Sequence, residues 1–121
     1  MKIVSLIRSK IEIPADTCVA QSIAFLMGVP FEEVWNLFEH LWDEGMTEDD
    51  AKEILTTFGY KTVNLKKKYY NKSIKTVVNS LKNGTYLIWN NNHVICWKDG
   101  IVFDTDQTNY RTKVRLVTRI S

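Results

Sequence analysis

Two cysteines, two prolines and five glycines in 121 residues leave this chain lightly punctuated and without the means to be cross-linked. Cys18 and Cys96 do not make a disulfide framework and read as free thiols of a reducing compartment. Neither has a companion at zinc spacing. His40 and His93 stand far apart with no CxxC or HxxxH partner, so neither a metal nor a cofactor is expected. Long apolar runs are also missing. Nothing approaches the roughly 20 residues of a membrane-spanning helix, and the opening MKIVSLIRSKIEIP is interrupted by Arg8, Lys10 and Glu12 too early for a signal-peptide core. These absences argue against a membrane partner and predict a cytoplasmic protein.

Acidic residues are absent over one long stretch. Ile54 to Lys98 holds no Asp or Glu but carries Lys61, Lys66, Lys67, Lys68, Lys72, Lys75, Lys82 and Lys98, whereas Glu32 to Glu53 is strongly acidic. The formal net charge of +2 hides this asymmetry, which marks either an anionic partner or two differently solvated faces. What is present is the composition of a globular fold, with 45% hydrophobic residues and four tryptophans. The length suits a single domain over residues 1–121. No repeat, linker or low-complexity tract suggests a boundary.

The element order predicts an α+β fold, helices first and then a mostly antiparallel sheet. Residues 2–7 read as a short strand or irregular lead-in. Asp16 or Thr17 caps a nearly uncharged helix through Met27, apolar on most sides as a buried central helix would be, and Gly28 ends it. Pro30 opens a second helix with Val34, Leu37, Phe38, Leu41 and Trp42 inward. Thr47-Glu48-Asp49-Asp50 caps a third, with Ala51, Ile54, Leu55 and Phe58 inward and Gly59 at its end. A strand over Tyr60 to Leu65, the basic loop 66–72 and a short helix from Ser73 to Leu81 follow. Thr85 to Trp89 is a strand, then a hairpin, then a half-buried strand from about Arg111. In that last strand Arg111, Lys113, Arg115 and Arg119 share one face, and Val114, Leu116 and Ile120 the other.

The hairpin carries the first chemical signal. His93 heads the apolar run Val94-Ile95-Cys96-Trp97, and Asp99-Gly100 separates it from Ile101-Val102-Phe103-Asp104. Asp-Gly between two β-rich runs is a strong hairpin signature. With Asp99 and Gly100 as the turn pair, Ile95 lies opposite Asp104 and His93 opposite Asp106. Side chains alternate along a strand, so His93, Asp104 and Asp106 point the same way. A histidine beside a carboxylate is an oriented general base.

The partner it would serve is Cys18, at the start of the most apolar helix. Unpaired N–H groups and the dipole at a helix N-terminus favour thiolate over thiol, and a nearby imidazole completes a thiolate–imidazolium pair. Asp104 would hold the imidazole's tautomer. Cys96 points away from His93 and belongs to the core. Taken singly, each residue has an ordinary reading: a small buried cysteine, an edge histidine, a strand-ending acid.

Asp16-Thr17-Cys18-Val19-Ala20, the helix junction Met27-Gly28-Val29-Pro30-Phe31-Glu32-Glu33-Val34, and the late run His93 to Thr105 together resemble a minimal papain-like cysteine peptidase. The likeness is to the small bacteriophage and bacterial versions and to the bacteriocin-leader-processing peptidases. It implies a papain-like fold, with Cys18 as nucleophile, His93 as base and Asp104 as third member, Asp106 substituting if the turn is one residue longer. Such enzymes usually carry a glutamine six residues before the cysteine to stabilise the oxyanion. Here Glu12 occupies that position, and the family's Asp-Cys pair is split by Thr17. Either Glu12 points elsewhere or is protonated, or the Cys18 N–H works with another donor such as Gln21.

The leading expectation is therefore a thiol hydrolase or acyltransferase acting through a thioester on a protein or peptide. A phage-encoded version would meet a host protein in the host cytoplasm. The alternative is a non-catalytic binding or modulator protein on the same scaffold. A third reading takes Lys66-Lys67-Lys68-Tyr69-Tyr70 and the basic last strand as a nucleic-acid surface. The near-neutral net charge, the acidic stretch and the lack of any nucleic-acid-binding motif argue against it.

Overall fold

The computed structural model describes residues 2–5, 18–37, 47–65, 67–91, 93–104 and 109–121. Among these, six strands form one sheet in the order β1-β5-β4-β3-β6-β2. The strands are β1 (Lys2–Ser5), β2 (Thr62–Asn64), β3 (Thr85–Trp89), β4 (Val94–Lys98), β5 (Ile101–Asp104) and β6 (Leu116–Ile120). The helices are α1 (Cys18–Met27), α2 (Phe31–Leu37), α3 (Glu48–Thr57) and α4 (Ile74–Ser80). Every pairing is antiparallel except β1 with β5, which is parallel. The α+β class read from the element order is the observed one.

Local chemistry sets the helix ends. Thr47 and Asp50 close a reciprocal capping box at α3, and the Ser73 hydroxyl accepts from the Thr76 N–H at α4. At the end of α1 the Val29 N–H reaches the Ala24 carbonyl and the Gly28 N–H the Phe25 carbonyl, each at 3.1 Å. This pattern needs a left-handed residue at Gly28, whose φ is +70°. The same pattern closes α3 at Gly59 and Tyr60. Asp16, Thr17 and the inward positions Phe38, Leu41 and Trp42 lie outside the described residues.

The core has two compartments because the sheet is covered on both faces. Val19, Ala20, Ile23, Ala24 and Leu26 of α1 pack with Val34, Ala51, Ile54 and Leu55 onto Leu87, Trp89, Val94, Cys96, Phe103 and Ile120. On the other face Ile74, Val77, Val78 and Leu81 of the α4 segment, with Tyr69 and Val114, cover Ile88, Ile95, Trp97, Val102 and Val117. α1 is thus the central helix its uncharged sequence predicts.

Three expectations need correction. The strand expected over Tyr60 to Leu65 is confined to Thr62–Asn64 at the sheet edge, where it pairs with β6 alone. The last strand begins at Leu116, not near Arg111, because residues 110–114 turn aside to bond with 71–75. It is also not half-buried: Val117 faces the second compartment while Leu116 and Ile120 face the first. Val114 accordingly packs on the face opposite to Leu116. Alternation along one strand could not show that helices lie on both sides.

Candidate active site

The β4–β5 hairpin forms as its sequence directs. Asp99 and Gly100 have φ of 48° and 87°, the double left-handed geometry of a two-residue turn whose twist matches its strands. The Asp99 carboxylate accepts from the Gly84 N–H at 3.0 Å and ties this turn to the start of β3. The pairs Lys98–Ile101, Trp97–Val102 and Cys96–Phe103 follow. One further step along that register sets Ile95 against Asp104, as predicted. His93 is then the diagonal neighbour of Asp104, a separation that long side chains span.

They do span it. His93 Nε2 and Asp104 Oδ1 are 2.6 Å apart. Asp104 is almost completely buried, its side chain 3% exposed, while the imidazole remains 16% exposed. An ionised carboxylate only accepts, so Nε2 carries the proton and donates. Asp104 ends its strand, and a carboxyl buried this deeply is stabilised by a charge-assisted hydrogen bond such as the one it makes to His93.

α1 approaches the same end of the sheet. Lys98 Nζ donates to the Leu26 carbonyl at 2.9 Å, which anchors the C-terminal end of α1 at the C-terminal end of β4. Phe25 stacks on Phe103 at 4.2 Å, close to the same level. From Leu26 back to Cys18 the helix climbs about 12 Å, much the length of β4 from Lys98 to Val94. The backbone of Cys18, the first residue of α1, therefore lies toward the His93 end of β4. The helix covers the first face of the sheet, whereas His93 and Asp104 have the strand parity of Ile95 and Val102, which face the second.

The remaining predicted positions divide as follows. Gln21 is buried in α1, 3% exposed, beside the fully buried Ser22. Glu12 and Asp106 lie outside the described residues, and of Cys18 only the backbone is described. Cys96 is fully buried in the first compartment, and burial pushes its thiol up to about 12 despite the opposing pull of Lys98. Among the described residues no cluster of three or more His, Cys, Asp or Glu side chains is placed to hold a metal ion. No described helix is long and apolar enough to cross a membrane.

Tyr110 was not foreseen. It is half-buried, and burial first and the Asp104 carboxylate second raise its phenol above the ordinary value. Its place beside the site depends on the return of residues 109–114 over the sheet end, for which a tyrosine after Gln107-Thr108-Asn109 carries no signal.

No family model matches this chain, and no curated protein is similar to it in sequence. A solved structure is similar in fold: a double glycine motif protease from an AMS/PCAT transporter, determined in complex with the leader peptide. The two superpose with a TM-score of 0.63 over 90% of this chain and 86% of that one, at 16% identity. The fold is papain-like. At that identity the likeness concerns architecture, a central helix on a mostly antiparallel sheet, and chemistry rests on the residues themselves.

Proposed function

We propose that this protein is a cysteine-dependent hydrolase or acyltransferase that acts on an amide or ester carbonyl of a peptide through a thioester at Cys18. The observation that carries the reading is the part-buried His93–Asp104 hydrogen bond at the end of the sheet toward which α1 begins. Because Asp104 engages Nε2, the nitrogen assigned to the thiol is Nδ1. In this reading Nδ1 takes the proton from Cys18 Sγ, and the thiolate attacks the carbonyl carbon. The tetrahedral oxyanion collapses as Nδ1–H gives its proton to the leaving nitrogen or oxygen, which leaves an S-acyl enzyme. Water, or a second nucleophile, then loses its proton to Nδ1, attacks the thioester and releases Cys18. Asp104 stays ionised and holds the ring in the tautomer that each step requires.

The Cys18 N–H, at the first position of α1, is one donor for the oxyanion. The second falls to Gln21 or to the position of Glu12, where an ionised carboxylate would oppose the oxyanion, and Glu12→Gln separates them: a rise in turnover assigns Glu12 to that position, and no change places it elsewhere. The fold similarity to a protease solved with a leader peptide supports a peptide as the substrate class.

The test is the rate of Cys18 alkylation by iodoacetamide against pH, in the wild type and in His93→Ala. Cys96 needs no substitution, since it is fully buried and its thiol is pushed up to about 12. A plateau of fast reaction well below pH 7 that disappears in His93→Ala is expected. A rate that rises only near the ordinary thiol value, about 8.5, and ignores His93 would leave a non-catalytic binding protein on this scaffold.

A further inference from the structure

The lysine-rich loop and the approach to the last strand, remote in sequence, lie side by side in the fold. Asn71 N–H donates to the Val114 carbonyl at 2.8 Å, Val114 N–H to Lys72 at 2.7 Å, Ile74 N–H to Thr112 at 3.0 Å and Lys75 N–H to Tyr110 at 3.0 Å. Ser73 and Lys113 form an antiparallel bridge. Ile74 and Val114 of this two-segment ribbon point into the second compartment, and Lys72, Lys75, Arg111 and Lys113 are all exposed. Four exposed cations thus fall on this one short ribbon and the start of α4. The ion pairs among the described residues, His93–Asp104 and Arg115–Glu48, leave all four out. Like charges in adjacent segments repel one another, and none of the four is ion-paired with a carboxylate of the described residues.

This surface adjoins the candidate active site. Trp89 pairs with both Val94 and Leu116, so β6 begins at the end of the sheet where β4 begins. The ribbon continues from there on the face toward which His93 and Asp104 alternate. Tyr110 is the junction: its carbonyl bonds to Lys75, and its phenol senses the Asp104 carboxylate.

We propose that Lys72, Lys75, Arg111 and Lys113 form a docking surface for an acidic segment of the polypeptide substrate, next to the bond presented to Cys18, His93 and Asp104. The inference rests on the function proposed above and specifies its substrate class. Charge complementarity selects an anion, and the aromatic residues decide against a nucleic acid. Base stacking needs open ring faces, but Tyr69 is 7% exposed, packed in the second compartment with the Lys68 ammonium 5.4 Å from its ring centroid. Tyr70 alone of that pair is open, at 65%. The Lys-Tyr-Tyr run is therefore no stacking platform.

The experiment measures binding of the full chain to three fluorescein-labelled probes by anisotropy at low ionic strength. The probes are a short Glu/Ser peptide, the same peptide with Gln for Glu, and a single-stranded DNA oligonucleotide of matching charge. The Glu peptide should bind at least about tenfold more tightly than the Gln peptide, lose most of its affinity by about 0.3 M salt, and slow alkylation of Cys18. Lys72→Glu with Arg111→Glu should weaken it about tenfold or more. Should that double variant fail to give a native near-ultraviolet spectrum, Lys75→Gln with Lys113→Gln should weaken binding severalfold. Equal affinity for the Glu and Gln peptides, indifference to the folded variants, or tighter binding of the oligonucleotide overturns the inference. The two failures are distinct. His93-independent alkylation removes the catalytic reading whatever the peptides do, and a His93-dependent profile that the Glu peptide leaves unchanged removes the docking surface alone.

Discussion

Lys98 on the sheet and Leu26 on the central helix are joined by a 2.9 Å hydrogen bond from an ammonium group to a helix-terminal carbonyl. A cation at a helix C-terminus satisfies a carbonyl without an intrahelical partner and complements the dipole. The bond also fixes which way α1 runs along β4, and so at which end of the sheet the helix begins. Lys98→Met keeps the stem and removes the donor. It should cost about 1 kcal/mol, seen as a fall of about 4 °C in the thermal midpoint. An unchanged midpoint would mean that water serves Leu26 equally well.

The His93–Asp104 pair makes a kinetic prediction on the proposed reading. Asp104→Asn preserves shape but presents an amide that can turn its N–H₂ toward Nε2 and favour the wrong tautomer. Turnover of a peptide substrate should fall by a factor on the order of a thousand or more, with far less change in substrate binding. A loss confined to KM would assign Asp104 to binding instead.

Cys96 links stability to alkaline pH. Its ordinary value is 9.0 and burial pushes it up to about 12. Between these limits the unfolded chain has released the thiol proton and the native chain has not. Unfolding therefore releases a proton, and native stability, whole below about pH 9, falls as pH rises toward about 12. The slope is about 1.4 kcal/mol per pH unit. The raised phenol of Tyr110 acts in the same direction at its own, higher range. Denaturant unfolding of the wild type and Cys96→Ala across pH 8 to 11 reads the difference. A gap between the two that stays constant with pH would refute this assignment.

A polar chain crosses the sheet from the buried Trp89 to the exposed Asn64. Trp89 Nε1 donates to Thr118 Oγ1 at 3.1 Å, and Thr118 Oγ1 donates to Asn64 Oδ1 at 2.8 Å. Thr118→Val is nearly isosteric but strands a buried donor and leaves its acceptor without its partner, at a cost of about 2 kcal/mol. Thr118→Ser, which keeps the hydroxyl, should retain most of that. Chemical denaturation compares the two, and a similar loss in both would assign the cost to packing.

The β4–β5 turn sets the register that brings His93 to Asp104. Gly100, at φ 87°, has open space where a Cβ would lie, so Gly100→Ala meets backbone strain, not collision. It should lose about 1–2 kcal/mol. On the proposed reading the alkylation plateau of Cys18 should survive, because β4 stays paired with β3 and β5 with β1. Loss of the plateau would show that the turn itself maintains the pair.

The His93–Asp104 pairing was legible in the sequence because its determinants are local. Asp99-Gly100 dictates a two-residue turn, that turn dictates which residues face one another, and alternation then brings His93 and Asp104 to one face. Thr47 with Asp50, Ser73 and Gly28 mark helix ends by the same short-range logic. Where determinants are not local, the sequence reading failed. Arg111 to Ile120 alternates like a single half-buried strand, yet residues 110–114 are drawn off by hydrogen bonds to a loop about forty residues earlier. Val117 is buried by α4 on a face expected to be open. The sequence alone determined the turns, the caps, the α+β class and the His–Asp register, since each follows from backbone geometry over a few residues. Tertiary structure decided the direction of α1 on β4, the second covered face, and the gathering of four cations beside the site, because these depend on which surfaces meet when distant segments are buried together.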